Sequence, residues 1–359
     1  MKMMNSTMTA KFINFIAACL IAVVLAGCNR NDTLKVVTLG QEIKTKAERL
    51  EPETTLTLPD LIFAKMAWVY NDRYAVLALK TRDFSTALYD MQTGEILKKF
   101  LHYGNGPQEI LLALYRMVGD TLTVRDMNRG KMYLIPLAKL PDIEIIEQQA
   151  NIFSAEYIPY KGKYLALNPY FFKNEKMGID TKENMLLVSD GSEREFHDDK
   201  LLAINVVQGT LLYNKNRDRI AFLNGSDPLI TIFNSELNPV VEVKGPVDYE
   251  VSYIQPKDSY ELVFYGNICT SYRSAASDDQ YIYALYHGSV RDARKSGAES
   301  NHYLFVFDWD GNVIKSFVLN GITSTRSTIS LGNTPGSIYV SNLDNKTDAF
   351  CIKKFSFDL

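Results

Sequence analysis

The sequence predicts an all-β protein built as a six-bladed β-propeller, and three observations carry that prediction. Tyrosine and phenylalanine are abundant, 21 and 18 of 359 residues, and both favour strands. Short apolar runs alternate with Asp, Asn and Gly turn signals along the chain. The turn marks fall near residues 90, 136, 190, 234 and 308, which sets a repeat of roughly 45 residues with one large insertion. Four short strands in a unit of that length make a propeller blade. Five such units and one terminal unit give six blades.

The first residues stand apart from the fold. Lys2 and Lys11 accompany an apolar stretch at residues 15–25, too short to span a bilayer as a helix but of signal-peptide length. Leu25-Ala26-Gly27-Cys28 follows. Two small residues before a cysteine match the bacterial lipobox, whose thiol receives diacylglycerol. Residues 1–27 are therefore expected to be a signal peptide, residues 28–53 a lipidated tether with a short strand at 36–39, and residues 54–359 the propeller. Acyl chains contribute about 0.8 kcal/mol per buried methylene, so several of them anchor a protein firmly. Asn29 rather than Asp follows the cysteine, so the expected address is the outer membrane, on its periplasmic or its cell-surface side.

The blades then follow in order. Residues 54–58 read as a strand broken by Pro59-Asp60. Residues 63–70 and 74–79 are two more, joined by Asn71-Asp72, and residues 88–89 and 96–100 flank the turn from Asp90 to Gly94. In that turn Gly supplies φ > 0 and Asp can bond its own backbone. The second unit has residues 118–124, 132–135 and 143–146; the third has 164–167 and 185–188, leading to Asp190-Gly191. The fourth has 219–223, 229–233 and 240–243 around Asn234. The fifth has 281–286, 303–307 and 313–318 around Asp308-Trp309-Asp310-Gly311, and Trp309 is expected to pack between blades. The last unit has 337–340 and 350–357, a third strand with two residues after it. An open ring would leave an unpaired edge. Residues 54–58 are therefore expected to pair antiparallel with 350–357, with 36–39 as the reserve.

One loop is distinctive: Gly104-Asn105-Gly106-Pro107-Gln108-Glu109, after the first blade. Pro107 fixes its own φ, the glycines permit unusual backbone angles, and Gly106 is expected at positive φ in a structural role shared with Gly104, Pro107 and Glu109. The loop is similar to the Gly-x-Gly-Pro-Gly-Glu loop of the six-bladed TolB-like β-propeller lipoproteins of Bacteroidetes, and nearly all of the mature chain resembles that family. Gln108 stands where the family has its last glycine, so this position is expected to resist positive φ. The resemblance implies the propeller and an envelope location more than it implies an activity.

Function is bounded mostly by exclusion. Net charge is −3, and no RNA- or DNA-binding signature is present, which excludes a nucleic-acid partner. There is no Gly-x-Ser-x-Gly, His-Glu-x-x-His or Cys-x-x-Cys, and the four histidines have no metal-ligand spacing. No catalytic residue, metal or cofactor is therefore expected. Of the four cysteines, Cys19 leaves with the leader, Cys28 is acylated, and Cys269 and Cys351 are expected to be buried thiols. In a blade whose strands run outward in order, second-to-third loops and inter-blade loops share one face. The long segments 168–183, 245–277 and 286–301 all fall there. They carry Tyr170, Phe172, Tyr265, Tyr272, Arg273, His287, Arg291 and Arg294, side chains suited to sugar, peptide or acidic ligands. The expectation is a monomeric, lipid-anchored, non-enzymatic module that binds an envelope protein, peptide or glycan. The alternative is a lactonase-like hydrolase or glycan lyase with a metal-dependent central funnel.

Overall fold

The strands follow one another as antiparallel meanders, and each meander is one blade. The structure, a computed structural model, describes residues 34–359 apart from 60–63, 127, 151–153, 155, 169–172, 175–178, 181–184, 190–207, 248–252, 255–262, 265–266, 293–300 and 345–347. Blade 1 is Ala64–Tyr70, Tyr74–Leu79, Phe84–Asp90 and Glu95–Tyr103. Blade 2 is Ala113–Val118, Thr121–Asp126, Lys131–Pro136 and Ile146–Gln149. The described strands of blade 3 are Tyr157–Tyr160, Lys163–Leu167 and Leu186–Ser189. Blade 4 is Gly209–Asn214, Arg219–Asn224, Leu229–Phe233 and Pro239–Lys244. Blade 5 is Asn267–Ser277, Tyr281–Asp292, His302–Asp308 and Val313–Leu319. Blade 6 contributes Ile329–Leu331, Ser337–Leu343 and Phe350–Ser356.

The fourth strand of blade 6 comes from the other end of the chain. Thr54–Thr57 pairs antiparallel with Phe350–Ser356, with Thr54 opposite Lys354 and Thr57 opposite Cys351. The Leu58 amide donates to the Phe350 carbonyl at 2.9 Å, and the Glu53 amide to the Lys354 carbonyl at 2.8 Å. This is the expected closure. Residues 36–39 play a different part from the reserve role: they lie on the outer edge of blade 4, where the Leu39 amide donates to the Lys244 carbonyl at 2.7 Å. Glu48–Leu50, inside the stretch read as a tether, runs parallel to Val313–Leu319 outside blade 5. The outermost strand of a complete blade still offers unpaired N–H and C=O groups, and the chain satisfies them on its way to blade 6. Cys28 and the signal peptide lie outside the described residues.

Among the described residues, apolar clusters fill all six junctions: blades 1–2, 2–3, 3–4, 4–5, 5–6 and 6–1. Residues 36–359 accordingly form one unit. Trp309 lies buried at the blade 4–5 junction, as expected, and its Nε1 donates to the Asp278 carbonyl at 3.1 Å. Cys269 and Cys351 are buried free thiols. The third-to-fourth turns owe their sharpness to Asx chemistry: Oδ1 of Asp90, Asn234 and Asp308 accepts the amide two residues on, at 2.9, 3.0 and 3.0 Å.

Two stretches differ from the sequence reading. Residues 118–124 are not one strand, because Gly119 at φ +59° and Asp120 turn the chain between the first two strands of blade 2. The segment 245–277 is not all loop, since Asn267–Ser277 is the innermost strand of blade 5, and its partner extends past Tyr286 to Asp292.

Candidate functional site

Each innermost strand starts at the face of the long connections and ends at the face of the tight turns, so the central channel has two unlike ends. At the tight-turn end a cavity of about 430 Å³ opens between the strand ends of blades 1, 2, 4, 5 and 6. That volume lies within the roughly 300–1,000 Å³ of small-molecule sites. Apolar side chains such as Met117, Val118, Leu211 and Leu331 line it, with Asn71, Asp120, Lys215, Asp278, Asp279 and Asn333 among its polar lining residues.

Hydrogen bonds between neighbouring first turns fix this rim. Asn214 Nδ2 donates to the Asp279 carbonyl at 3.1 Å, Arg217 Nε to the same oxygen at 2.7 Å, and Asn216 Nδ2 to Asp279 Oδ2 at 2.7 Å. Asp72 Oδ1 accepts the Asn333 amide at 3.1 Å, which clasps blade 1 to blade 6. Asp278 Oδ1 accepts the amides of Gln280 and Tyr281, and Oδ2 accepts the Tyr283 hydroxyl at 2.8 Å. Burial, and then that carboxylate, push the Tyr283 phenol well up.

The long-connection end is built differently. In the loop at residues 104–109 the Glu109 carboxylate folds back and accepts the Gly106 amide. Gly106 does not take a positive φ, contrary to expectation. Its constraint is space, for a Cβ there would stand 2.9 Å from Glu109 Cδ. Gln108 does adopt φ +53°, so the glycine expected at this position is dispensable. Blade 2 pins the loop from outside: Arg129 donates to the carbonyls of Asn105 and Glu109, each at 3.0 Å, and Tyr133 donates to the Glu109 carbonyl at 2.7 Å. Two residues on, the Leu111 amide donates to Asp126 Oδ2 at 2.7 Å. This rigid mount presents Leu111 and Leu112 to solvent, 43% and 47% exposed.

Cations gather toward this end. Lys65, half-buried at the start of its strand, lies six residues from Asn71, about 20 Å along an extended strand. Burial, and then the charge of Arg326, lower the Lys65 pKa. Arg116 Nε donates to both oxygens of buried Glu156, at 2.9 and 2.8 Å, and joins blade 2 to the start of blade 3. Arg125 completes that clasp, with its guanidinium 4.3 Å over the Tyr157 ring; burial lowers its pKa and Glu156 opposes the shift.

The binding residues expected from sequence are only partly placed at the rim. Tyr272 and His287 are corrected to core residues. Tyr272 packs 5.1 Å from the Tyr286 ring, and His287 lies 4.5 Å from the His302 ring, because the first two strands of blade 5 run further than expected. Arg273 is exposed, with Nη2 donating to Thr270 Oγ1 at 3.4 Å. Arg291 falls in the extended second strand of blade 5. Tyr170, Phe172, Tyr265 and Arg294 lie outside the described residues. Among the described residues, no group of three or more His, Cys, Asp or Glu side chains is arranged to hold a metal. Sequence reasoning missed the cavity rim and the Leu111-Leu112 pair. The available signal was an Asn or Asp at the first turn of blades 1, 2, 4, 5 and 6.

A sequence profile described as TolB-like 6-blade propeller-like matches residues 68–325. Among solved structures the chain is similar to a Bacteroides vulgatus member of the DUF4221 family, at a TM-score of 0.54 and 12% identity over 86% of this chain and 98% of that one. It is also similar to a Bacteroides fragilis protein described as exported, at a TM-score of 0.49 and 10% identity over 91% and 100% of the two chains. At 12% identity the first of these likenesses speaks to fold alone. No curated protein matches the chain.

Proposed function

The chain belongs to the TolB-like 6-blade propeller-like family, and on that fold we propose an exported, lipid-anchored, non-catalytic binding module of the cell envelope that holds a protein, peptide or glycan on its long-connection face. The observation that carries this reading is the exposed pair Leu111-Leu112 on a mount fixed by Arg129, Tyr133 and Asp126. Apolar side chains held rigidly in solvent cost little conformational entropy when a partner covers them. The cations Lys65, Arg273 and Arg326 on the inner strands and their approaches suit a partner that also carries acidic groups.

The anchor is Cys28 in its lipobox, and the address is the outer membrane. Cys28→Ser should move the protein to the soluble fraction, and unchanged membrane partition of that variant contradicts the anchor. A photo-crosslinking side chain placed at Leu112 should give adducts in intact envelopes, and the same side chain at Lys215 or Asn333 should not. Adducts confined to the tight-turn positions would assign the partner to the wrong face.

A further inference from the structure

We propose that the tight-turn mouth of the channel is a second binding site, one that takes a small amphipathic cation: an ammonium or guanidinium group on a short apolar body. Four features of the cavity specify that chemistry. Part of its wall is apolar, with Val69, Met117, Val118, Leu211, Ile329 and Leu331 contributed by blades 1, 2, 4 and 6. That apolar part of the wall suits a short hydrocarbon body. Its charged lining residues are Asp120, Asp278 and Asp279 against Lys215, and Arg217 on the Asp279 carbonyl and Asp72 on the Asn333 amide add one charge of each sign at the rim, which leaves a surplus of two negative charges.

The carboxylates also keep capacity for a ligand. Asp278 is committed, with both oxygens bonded inside the turn. Asp279 bonds Asn216 through Oδ2, and Asp120 Oδ1 accepts only a long 3.4 Å bond from Thr121 Oγ1. Among the described residues no side chain bonds Asp279 Oδ1 or Asp120 Oδ2. Finally, the field along the channel has a direction. Lys65 and the charge of Arg326 stand toward one end, the aspartates at the other, so a cation is favoured at the tight-turn mouth and an anion is not. The rim that would receive it is pre-formed by the Asn214, Asn216 and Arg217 bonds to Asp279 and by the Asp72–Asn333 clasp.

This site lies at the end of the channel opposite the face proposed for the macromolecular partner, so either assignment stands without the other. The test compares three probes of one length: hexylammonium, hexanoate and hexanol, titrated into the full mature protein and read by methyl NMR. Hexylammonium should shift the methyl signals of Met117, Val118, Leu211 and Leu331, and should bind at least tenfold more tightly than hexanoate. Asp120→Asn with Asp279→Asn should erase that preference. If the double variant fails to fold, raising the salt concentration on the unaltered protein serves instead, because screening must weaken hexylammonium and leave hexanol unchanged. Equal binding of hexanoate, salt-insensitive binding of hexylammonium, or shifts confined to other methyl groups would each overturn the proposal.

Discussion

Blades 5 and 6 both receive a strand from the N-terminal segment, and they use it in different ways. Blade 5 has four strands of its own, and Glu48–Leu50 adds a fifth, parallel to its outer edge. Blade 6 has three, and Thr54–Thr57 supplies the missing fourth in antiparallel register. The core follows the same division. Leu58, immediately beyond the completing strand, is buried in the blade 6–1 junction, with Leu56 packed against that cluster. Leu50, on the added strand, is only partly buried against the blade 5–6 cluster. One strand completes a wedge of the ring; the other covers an edge that was already complete.

Truncation separates the two roles most strongly. A chain begun after Pro59 should lose more than about 4 kcal/mol, the range that marks loss of a core element, whereas one begun after Glu51, which removes Glu48–Leu50 and keeps Thr54–Thr57, should lose much less. Urea melts of the two truncations check this. A single side chain makes the same contrast: Leu58→Ala should cost about 3 kcal/mol, and Leu50→Ala about 1 kcal/mol. Equal losses would mean that the two strands contribute alike.

Away from the strap, Gly106→Val should cost about 2 kcal/mol, because its side chain meets the Glu109 carboxylate that ties the first inter-blade loop. Gly106→Val combined with Glu109→Ala should recover part of that loss in a thermal melt, which a φ constraint would not allow. Acid should weaken blade 5 in particular. His302, in the strand next to the one that Glu48–Leu50 joins, is buried, and burial holds its pKa down at about 4. The folded form therefore binds its proton later than the unfolded form, whose pKa is near 6.5. Stability falls as pH drops from about 6.5 toward 4, by about 2 kcal/mol near pH 5, and levels off below that window. His302→Asn should flatten this part of the pH profile.

The outer strands were legible in the sequence and the inner ones mostly were not. Tyr74–Leu79, Leu229–Phe233 and Val313–Leu319 are apolar runs beside turn residues, and the sequence marks them as strands to within a few positions. The inner strands Gly209–Asn214, Asn267–Ser277 and Ile329–Leu331 mix apolar side chains with Thr210, Ser271, Ser274 and Ser330, which dilutes the strand signal near the channel. The closing strand was found by counting what the last blade lacked, a constraint of topology rather than of local pattern. The binding residues fared worse. Tyr272 and His287 read as rim residues in the sequence because the bulged first strand of blade 5 and its long partner do not alternate cleanly. The loop at residues 104–109 was recognised, but its controlling contact is the carboxylate of Glu109, not the backbone angle of Gly106.

Hydrogen exchange on the mature protein tests ring closure most directly. The amides of Glu53 and Leu58 bond to the carbonyls of Lys354 and Phe350, so the strand Thr54–Thr57 should share the fate of its partner. Residues 54–58 should exchange as slowly as residues 350–356, with both set free only by global unfolding. Rapid exchange at 54–58 beside a protected 350–356 would show that the N-terminal strand is an appendage and that something else closes the ring.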